Sequence, residues 1–168
     1  MGSFKVAAGE GTRLTVGTGE LETIQKVLGE QTGGSAAVAE HVLAPKSLGS
    51  PIHTHHKEHE ISYVLDGTIT VQIDADVFDA GPGSTVFKPK GVPHAFWNAG
   101  EVPARLIEIF TPAGFEHYFE ELGNLIPPDG PPNLEGLADL WARYDLDMDM
   151  ASMPRLIMEN GLNMPPGM

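Results

Sequence analysis

Four of the chain's seven histidines fall inside one stretch, Pro51–Gly67, PIHTHHKEHEISYVLDG. His53 and His55 are one residue apart, so on a strand they share a face. Neutral imidazoles on one face with carboxylates close behind suit a borderline transition metal. A second stretch, Gly83–Asn98, GSTVFKPKGVPHAFWN, carries one more histidine, His94. The two stretches are expected to meet in space and hold one metal ion, with the imidazoles of His53, His55 and His94 and a carboxylate close behind them, Glu60 being the candidate. Glu60 has the opposite strand parity to His53 and His55. A bulge or turn within HHKEH must therefore reset the alternation.

Three imidazoles and a carboxylate leave open coordination positions for substrate or water, and ligand type does not choose among Fe, Mn, Ni, Co, Cu and Zn. Glu60, if it leaves the metal, is also the expected catalytic base. Phe96 and Asn98 share the face of His94, and Ser62 and Val64 share that of Glu60, so these four are expected to line a pocket. Asn98 can also hold a loop through its amide. Phe115 and Phe119 either cap the mouth of that pocket or pack in the core. His41 reads as a strand histidine near a sheet edge or dimer contact, His56 as pointing outward, and Glu58 and His117 as surface. Trp97 has the parity of inter-sheet packing.

The elements that must position these residues are short. Strands are expected at Arg13–Gly17, Leu21–Leu28, Ala36–Leu43, around His53–His55, and at His59–Leu65, Thr68–Ile73, Val77–Asp79, Ser84–Lys88, His94–Asn98 and Ala104–Phe110. Asp66-Gly67 is a tight hairpin signal. Some ten short strands with Gly/Pro turns imply an antiparallel sandwich or barrel. After Thr111 the period becomes helical: Phe115, Tyr118, Phe119 and Leu122 fit one helix ended by Gly123. Leu134, Leu137, Leu140, Trp141 and Tyr144 fit a second, capped by Asn133. From Asp145 onward no period is visible, and the tail reads as an arm on a partner subunit or as disordered chain.

Composition removes several function classes. The chain has 168 residues and no cysteine, so disulfides, thiol nucleophiles and thiolate metal sites are excluded. Its formal charge of −13, from 23 acids and 10 bases, argues against nucleic acid and anionic membranes as partners. No apolar run reaches membrane-spanning length and the N-terminus does not read as a signal peptide, so the expected location is the cytoplasm.

The two stretches resemble the paired motifs of the cupin superfamily. The first motif runs Gly, five residues, His-x-His, three or four residues, Glu, six residues, Gly. His53, His55, Glu60 and Gly67 match it, with Ser47 in place of the opening glycine. The second runs Gly, five residues, Pro-x-Gly, two residues, His, three residues, Asn, and Gly83, Pro89, Gly91, His94 and Asn98 match every position. Nine of ten defining positions therefore fit. HTHHKEHEISYVLDG further resembles the corresponding stretch of quercetin 2,3-dioxygenase-like monocupins, and TPAGFEHYFEELG resembles the helix that follows the barrel there. The departure is His59, where that group carries an acid, which makes His59 an alternative or additional ligand.

The resemblance implies an all-β fold: an antiparallel β-barrel or double-stranded β-helix, jelly-roll-like, with two C-terminal helices. It implies a homodimer in which each chain holds one divalent transition metal ion through His53, His55, Glu60 and His94. The corresponding division is 1–28 leader and strands, with a possible dimer contact, 29–111 barrel, 112–150 helical segment and 151–168 tail. The implied activity is a dioxygenase acting with dioxygen on an enolisable aromatic, flavonoid-like small molecule. The alternatives are a metal-dependent polyketide cyclase, isomerase or decarboxylase, and a non-catalytic small-molecule-binding protein.

Overall fold

The computed structural model describes residues 2–164. Its strands are β1 (Thr12–Val16), β2 (Leu21–Val27), β3 (Ala37–Leu43), β4 (Ser47–His55), β5 (His59–Asp66), β6 (Ile69–Ile73), β7 (Asp76–Ala80), β8 (Thr85–Lys88), β9 (His94–Asn98), β10 (Ala104–Thr111) and β11 (Leu146–Asp149). The helices are α1 (Tyr118–Leu125), α2 (Leu134–Tyr144) and α3 (Ser152–Asn160).

The strands form two separate antiparallel sheets. One has the order β1-β2-β3-β10-β5-β8 and the other β11-β4-β9-β6-β7. No ladder joins them among the described residues. The expected all-β closed barrel or jelly roll is therefore corrected to a mixed α and β architecture of two unclosed sheets with three α-helices. Strand patterning alone left this open, because alternation reports which face is buried and not whether edges close.

The inner face of the six-stranded sheet is built in layers by register. Glu60 on β5 stands between Lys88 and Phe110; Ser62 stands between Val86 and Glu108; Val64 stands beside Leu106. On β3, Ala37, Ala39 and His41 face Phe110, Glu108 and Leu106. The two alanines are fully buried, and their small side chains leave room beside the layers that carry Phe110 and Glu108.

Three apolar clusters surround this frame. Leu43, Val64, Ile69, Val71 and Leu106 fill one end between the sheets. Phe110, Phe115, Tyr118, Phe119, Leu140 and Leu146 fill the other, where α1 and α2 pack. Ala95 and Trp97 pack beneath Leu156 and Ile157 of α3. Trp97 therefore meets a helix on the outer side of its sheet rather than the opposing sheet. Leu156 and Ile157, each nearly fully buried, contribute about 1.5–3 kcal/mol apiece by leaving water.

The helices differ in detail from their sequence patterns. Phe115–His117 forms a short 3-10 turn, and α1 begins only at Tyr118. Gly123 lies inside α1 and does not end it; a Cβ there would stand 2.9 Å from the Thr15 carbonyl oxygen, so glycine permits the helix to lie against β1. Asn133 caps α2, its Oδ1 accepting from the Gly136 N–H at 3.0 Å. Leu134, expected in the α2 stripe, is exposed. The aperiodic segment after Asp145 contains β11, paired with β4, and α3. Residues 165–168 of that tail lie outside the described residues.

Candidate metal centre and cavity

The turn His56-Lys57-Glu58 carries the chain from β4 in one sheet to β5 in the other. Of the bulge or turn expected within HHKEH, it is this turn that brings Glu60 toward His53 and His55. β9 lies beside β4 with His53 and His94 in register. β4 itself is irregular: its register shifts between Leu48 and Ser50 and again between Ser50 and His53. Pro51, which has no N–H for a ladder, sits in the shifted segment. β4 begins at Ser47, well ahead of the short strand expected around His53–His55.

The result is one cluster of four buried side chains, His53, His55, Glu60 and His94, whose ligand atoms all lie within 4.8 Å of one another. That spread is close to the about 4.2 Å between opposite ligands of one ion with bonds near 2.1 Å. The Nδ1 atoms of the three imidazoles are all engaged. His53 Nδ1 meets the Pro51 carbonyl at 2.9 Å, His94 Nδ1 meets the Val92 carbonyl at 3.0 Å, and His55 Nδ1 meets Glu58 Oε1 at 3.1 Å. With each Nδ1–H donating outward, each Nε2 lone pair points inward, which is how metal-ligating histidines are oriented. His55 Nε2 is buried with no hydrogen-bond partner, although such atoms are normally satisfied. Glu60 brings a carboxylate to these lone pairs, with Oε2 at 2.8 Å from His94 Nε2 and Oε1 at 3.4 Å from His55 Nε2. This donor set fits a divalent metal ion.

The electrostatics agree. Burial would discourage ionisation of Glu60, but Lys88, His55 and His94 outweigh it and hold the carboxyl well below its usual range. Burial, reinforced by His94 and His55, pushes His53 well below the ordinary histidine value. An ionised carboxylate and a neutral imidazole are the forms that bind metal. Lys88 is itself buried and bridges Glu60 Oε2 at 3.1 Å and Glu108 Oε2 at 2.9 Å. Burial alone would lower the Lys88 value; Glu108 and Glu60 reverse this and raise it.

His53 and Glu60 open onto a cavity of about 290 Å³ between the sheets and the helices. Its walls are mainly apolar and aromatic, including Phe96, Phe115, Tyr118, Phe119, Leu122 and Trp141. Of the residues expected to line a pocket, Phe96, Phe115 and Phe119 do so. Ser62 is buried and donates to Glu108 Oε2 at 2.8 Å, and Val64 belongs to the core between the sheets. Asn98 holds a loop: its amide nitrogen lies 3.2, 3.1 and 2.8 Å from the Leu43, Ala44 and Val102 carbonyls, and its Oδ1 accepts from the Gly100 N–H at 2.9 Å.

The remaining histidines separate clearly. His59 lies outside the cluster and accepts from the Lys90 N–H at 3.1 Å. His56 is exposed beside Asp147, and His117 is partly exposed beside Glu30. His41 is neither at a sheet edge nor at the surface. It lines the cavity, its Nδ1 lies 3.0 Å from Thr23 Oγ1, and burial, helped by Lys88, depresses its value to about 4. Glu58, read as surface, is buried behind His55. Its position three residues after His55 was the available signal, but only the turn conformation brings the pair together. Glu108 and Lys88 join the site through strand register, which no local spacing announces. Glu30, Glu116 and His117 form a second grouping, in which both Glu116 oxygens accept backbone N–H groups, from Gly29 and Gly114.

The family model described as Cupin domain matches residues 39–110. That segment carries His53, His55, Glu60 and His94, the four residues of the cluster. A solved structure of a predicted oxalate decarboxylase from Thermotoga maritima superposes with a TM-score of 0.61 at 23% identity, covering 65% of this chain and 99% of that one. The polyketide cyclase RemF from Streptomyces resistomycificus superposes with a TM-score of 0.56 at 23% identity, covering 65% and 79%. These likenesses establish the fold. An uncharacterised protein of Methanocaldococcus jannaschii is 29% identical over 75 residues, 45% of this chain and 59% of that protein. The matches span less than two thirds of the length of the curated relatives. Neither solved structure is described as a dioxygenase, and the quercetinase-like expectation is corrected on that ground: it rested on the likeness of HTHHKEHEISYVLDG and TPAGFEHYFEELG to one group, and local likeness around a ligand set does not fix the reaction.

Proposed function

We propose that this protein is a metal-dependent cupin enzyme of the cyclase, isomerase or decarboxylase kind, acting on an apolar, aromatic-sized substrate with an enolisable carbonyl. His53, His55, Glu60 and His94 would hold one divalent ion. The observation that carries the reading is the buried, unpartnered His55 Nε2 within a set of imidazoles whose Nδ1 atoms are all tied down. Such an ion, when bound, supplies Lewis acidity toward a carbonyl oxygen. The chain's own residues do the rest. Pro51, Val92 and Glu58 fix the imidazole orientations. Lys88 keeps Glu60 ionised. Phe96, Phe115 and Phe119 exclude water and grip a flat apolar body.

The cavity walls favour this substrate class over small dianions. Oxalate or a sugar phosphate would meet aromatic surface and a chain of strongly negative charge, with no cationic pair aimed at it from the walls. The name borne by one superposed structure, a polyketide cyclase, is compatible with chemistry at an acidic carbon beside a carbonyl.

The test is deuterium exchange at the central carbon of 1-phenyl-1,3-butanedione, followed by NMR without oxygen on zinc-loaded protein. Enzyme-dependent exchange that disappears in His94→Ala supports the reading. Activity that requires oxygen, or exchange equal in wild type and variant, refutes it.

A further inference from the structure

Two buried side-chain oxygens on the cavity wall have no hydrogen-bond partner: Ser50 Oγ on the five-stranded sheet and Glu108 Oε1 on the six-stranded sheet. The second is the more demanding, because a carboxylate oxygen without a donor is costly to bury. Glu108 is 1% exposed. Its other oxygen, Oε2, is fully engaged, accepting from Ser62 Oγ at 2.8 Å and from Lys88 Nζ at 2.9 Å. Those two donors lock the carboxyl group in one orientation. Ala39, directly opposite Glu108 on the neighbouring strand, has no side-chain donor to offer it. One carboxyl oxygen is thus clamped, and the other is buried without a donor in a residue that lines the cavity.

We propose that Glu108 is a substrate-binding residue that accepts a hydrogen bond from a hydroxyl group of an aromatic ligand seated in the cavity, selecting phenol-like ligands over apolar ones of equal shape. The inference rests on the reading of the cavity as an aromatic substrate site, and it is independent of which ion the histidines hold. A carboxylate that can only accept discriminates sharply, since a ligand lacking the hydroxyl leaves Oε1 unpaired. A hydrogen bond to a charged group corresponds to about ten- to a hundredfold in affinity. Burial, together with Glu60, raises the Glu108 carboxyl to about 7, against the pull of Lys88 and Ser62. At pH 8 it is therefore mainly ionised and acts as an acceptor.

The experiment measures binding of 2-naphthol, 2-methylnaphthalene and 2-acetylnaphthalene at pH 8 to the full-length protein by fluorescence. Wild type is expected to prefer 2-naphthol over 2-methylnaphthalene by about tenfold or more. Glu108→Gln keeps an oxygen for Ser62 and Lys88 but turns an N–H toward the cavity. Its preference is expected to move from 2-naphthol to the acceptor 2-acetylnaphthalene, and this reversal is a result that a merely structural role would not produce. In Glu108→Leu, with folding checked by circular dichroism, all preference should vanish. Zinc-free and zinc-loaded wild type should show the same 2-naphthol preference, which separates this inference from the metal-enzyme reading. An unchanged preference in Glu108→Gln overturns the proposal, as does a wild-type preference that appears only with zinc bound. Failure of all three probes to bind wild type also overturns it, together with the aromatic-site reading.

Discussion

Replacing Glu58 separates the orientation of a metal ligand from the ligand itself. Glu58 does not reach the cluster; its Oε1 lies 3.1 Å from His55 Nδ1, and both side chains are nearly fully buried. In Glu58→Leu the His55 Nδ1–H loses its acceptor, so the ring can turn or change tautomer and its Nε2 is no longer held toward the ion. Outer partners of this kind are worth about 10–100-fold in metal affinity, or about 1.4–2.7 kcal/mol. Glu58→Gln keeps a carbonyl acceptor at the same reach and should lose clearly less. The assay is a competitive zinc titration against a chromophoric chelator at pH 7.5, with each variant's folding confirmed. The expected order of affinity is wild type, then Glu58→Gln, then Glu58→Leu. Equal zinc affinity in wild type and Glu58→Leu would refute the claim that His55 is a ligand positioned through Nδ1.

Three further outcomes follow from buried polar groups. His41, depressed to about 4 from 6.5, must stay neutral to remain folded. The unfolded chain binds the extra proton first, so stability is full above pH 6.5 and falls by up to about 3 kcal/mol as pH drops toward 4. His41→Gln should flatten that part of the denaturant-midpoint profile, and an unchanged acid slope would count against it. Lys88→Met leaves Glu60 and Glu108 without the cation between them. It should destabilise the protein by about 3–5 kcal/mol in urea unfolding at pH 8, and a loss below 1 kcal/mol would show that the bridge is not as described. Asn98→Ala removes the amide that ties together the Leu43, Ala44, Gly100 and Val102 backbones, at a cost of about 2–4 kcal/mol. Thermal melting should show this loss, while zinc affinity in the folded variant should match wild type.

The parts of the site that sequence spacing made visible are those set by strand alternation and by a glycine or proline beside a turn. His53, His55 and His94 follow from face-sharing on neighbouring strands, and Glu60 from the need to break parity after His55. What stayed hidden depends on folding at longer range. Glu58 looks like any charged turn residue until the crossing between sheets folds it back on His55. Glu108 and Lys88 are ordinary strand positions until register sets them against Ser62 and Glu60. His41 was misplaced because its strand looked like an edge, whereas β2 and β10 flank it on both sides. The segment after Asp145 lacks a period because β11 and α3 are short. α3 presents only Leu156 and Ile157 as a buried apolar pair, so the pattern never completes a second repeat. The unclosed sheets were invisible for a related reason, since alternation along a strand carries no information about its edges.

The central claim is that His53, His55, Glu60 and His94 form one metal site. Metal content of protein purified without chelator and then equilibrated with zinc tests it most directly, wild type beside His53→Ala/His55→Ala. The account predicts about one ion per chain in the wild type and essentially none in the folded variant. Equal metal in both proteins, or none in the wild type, would contradict it.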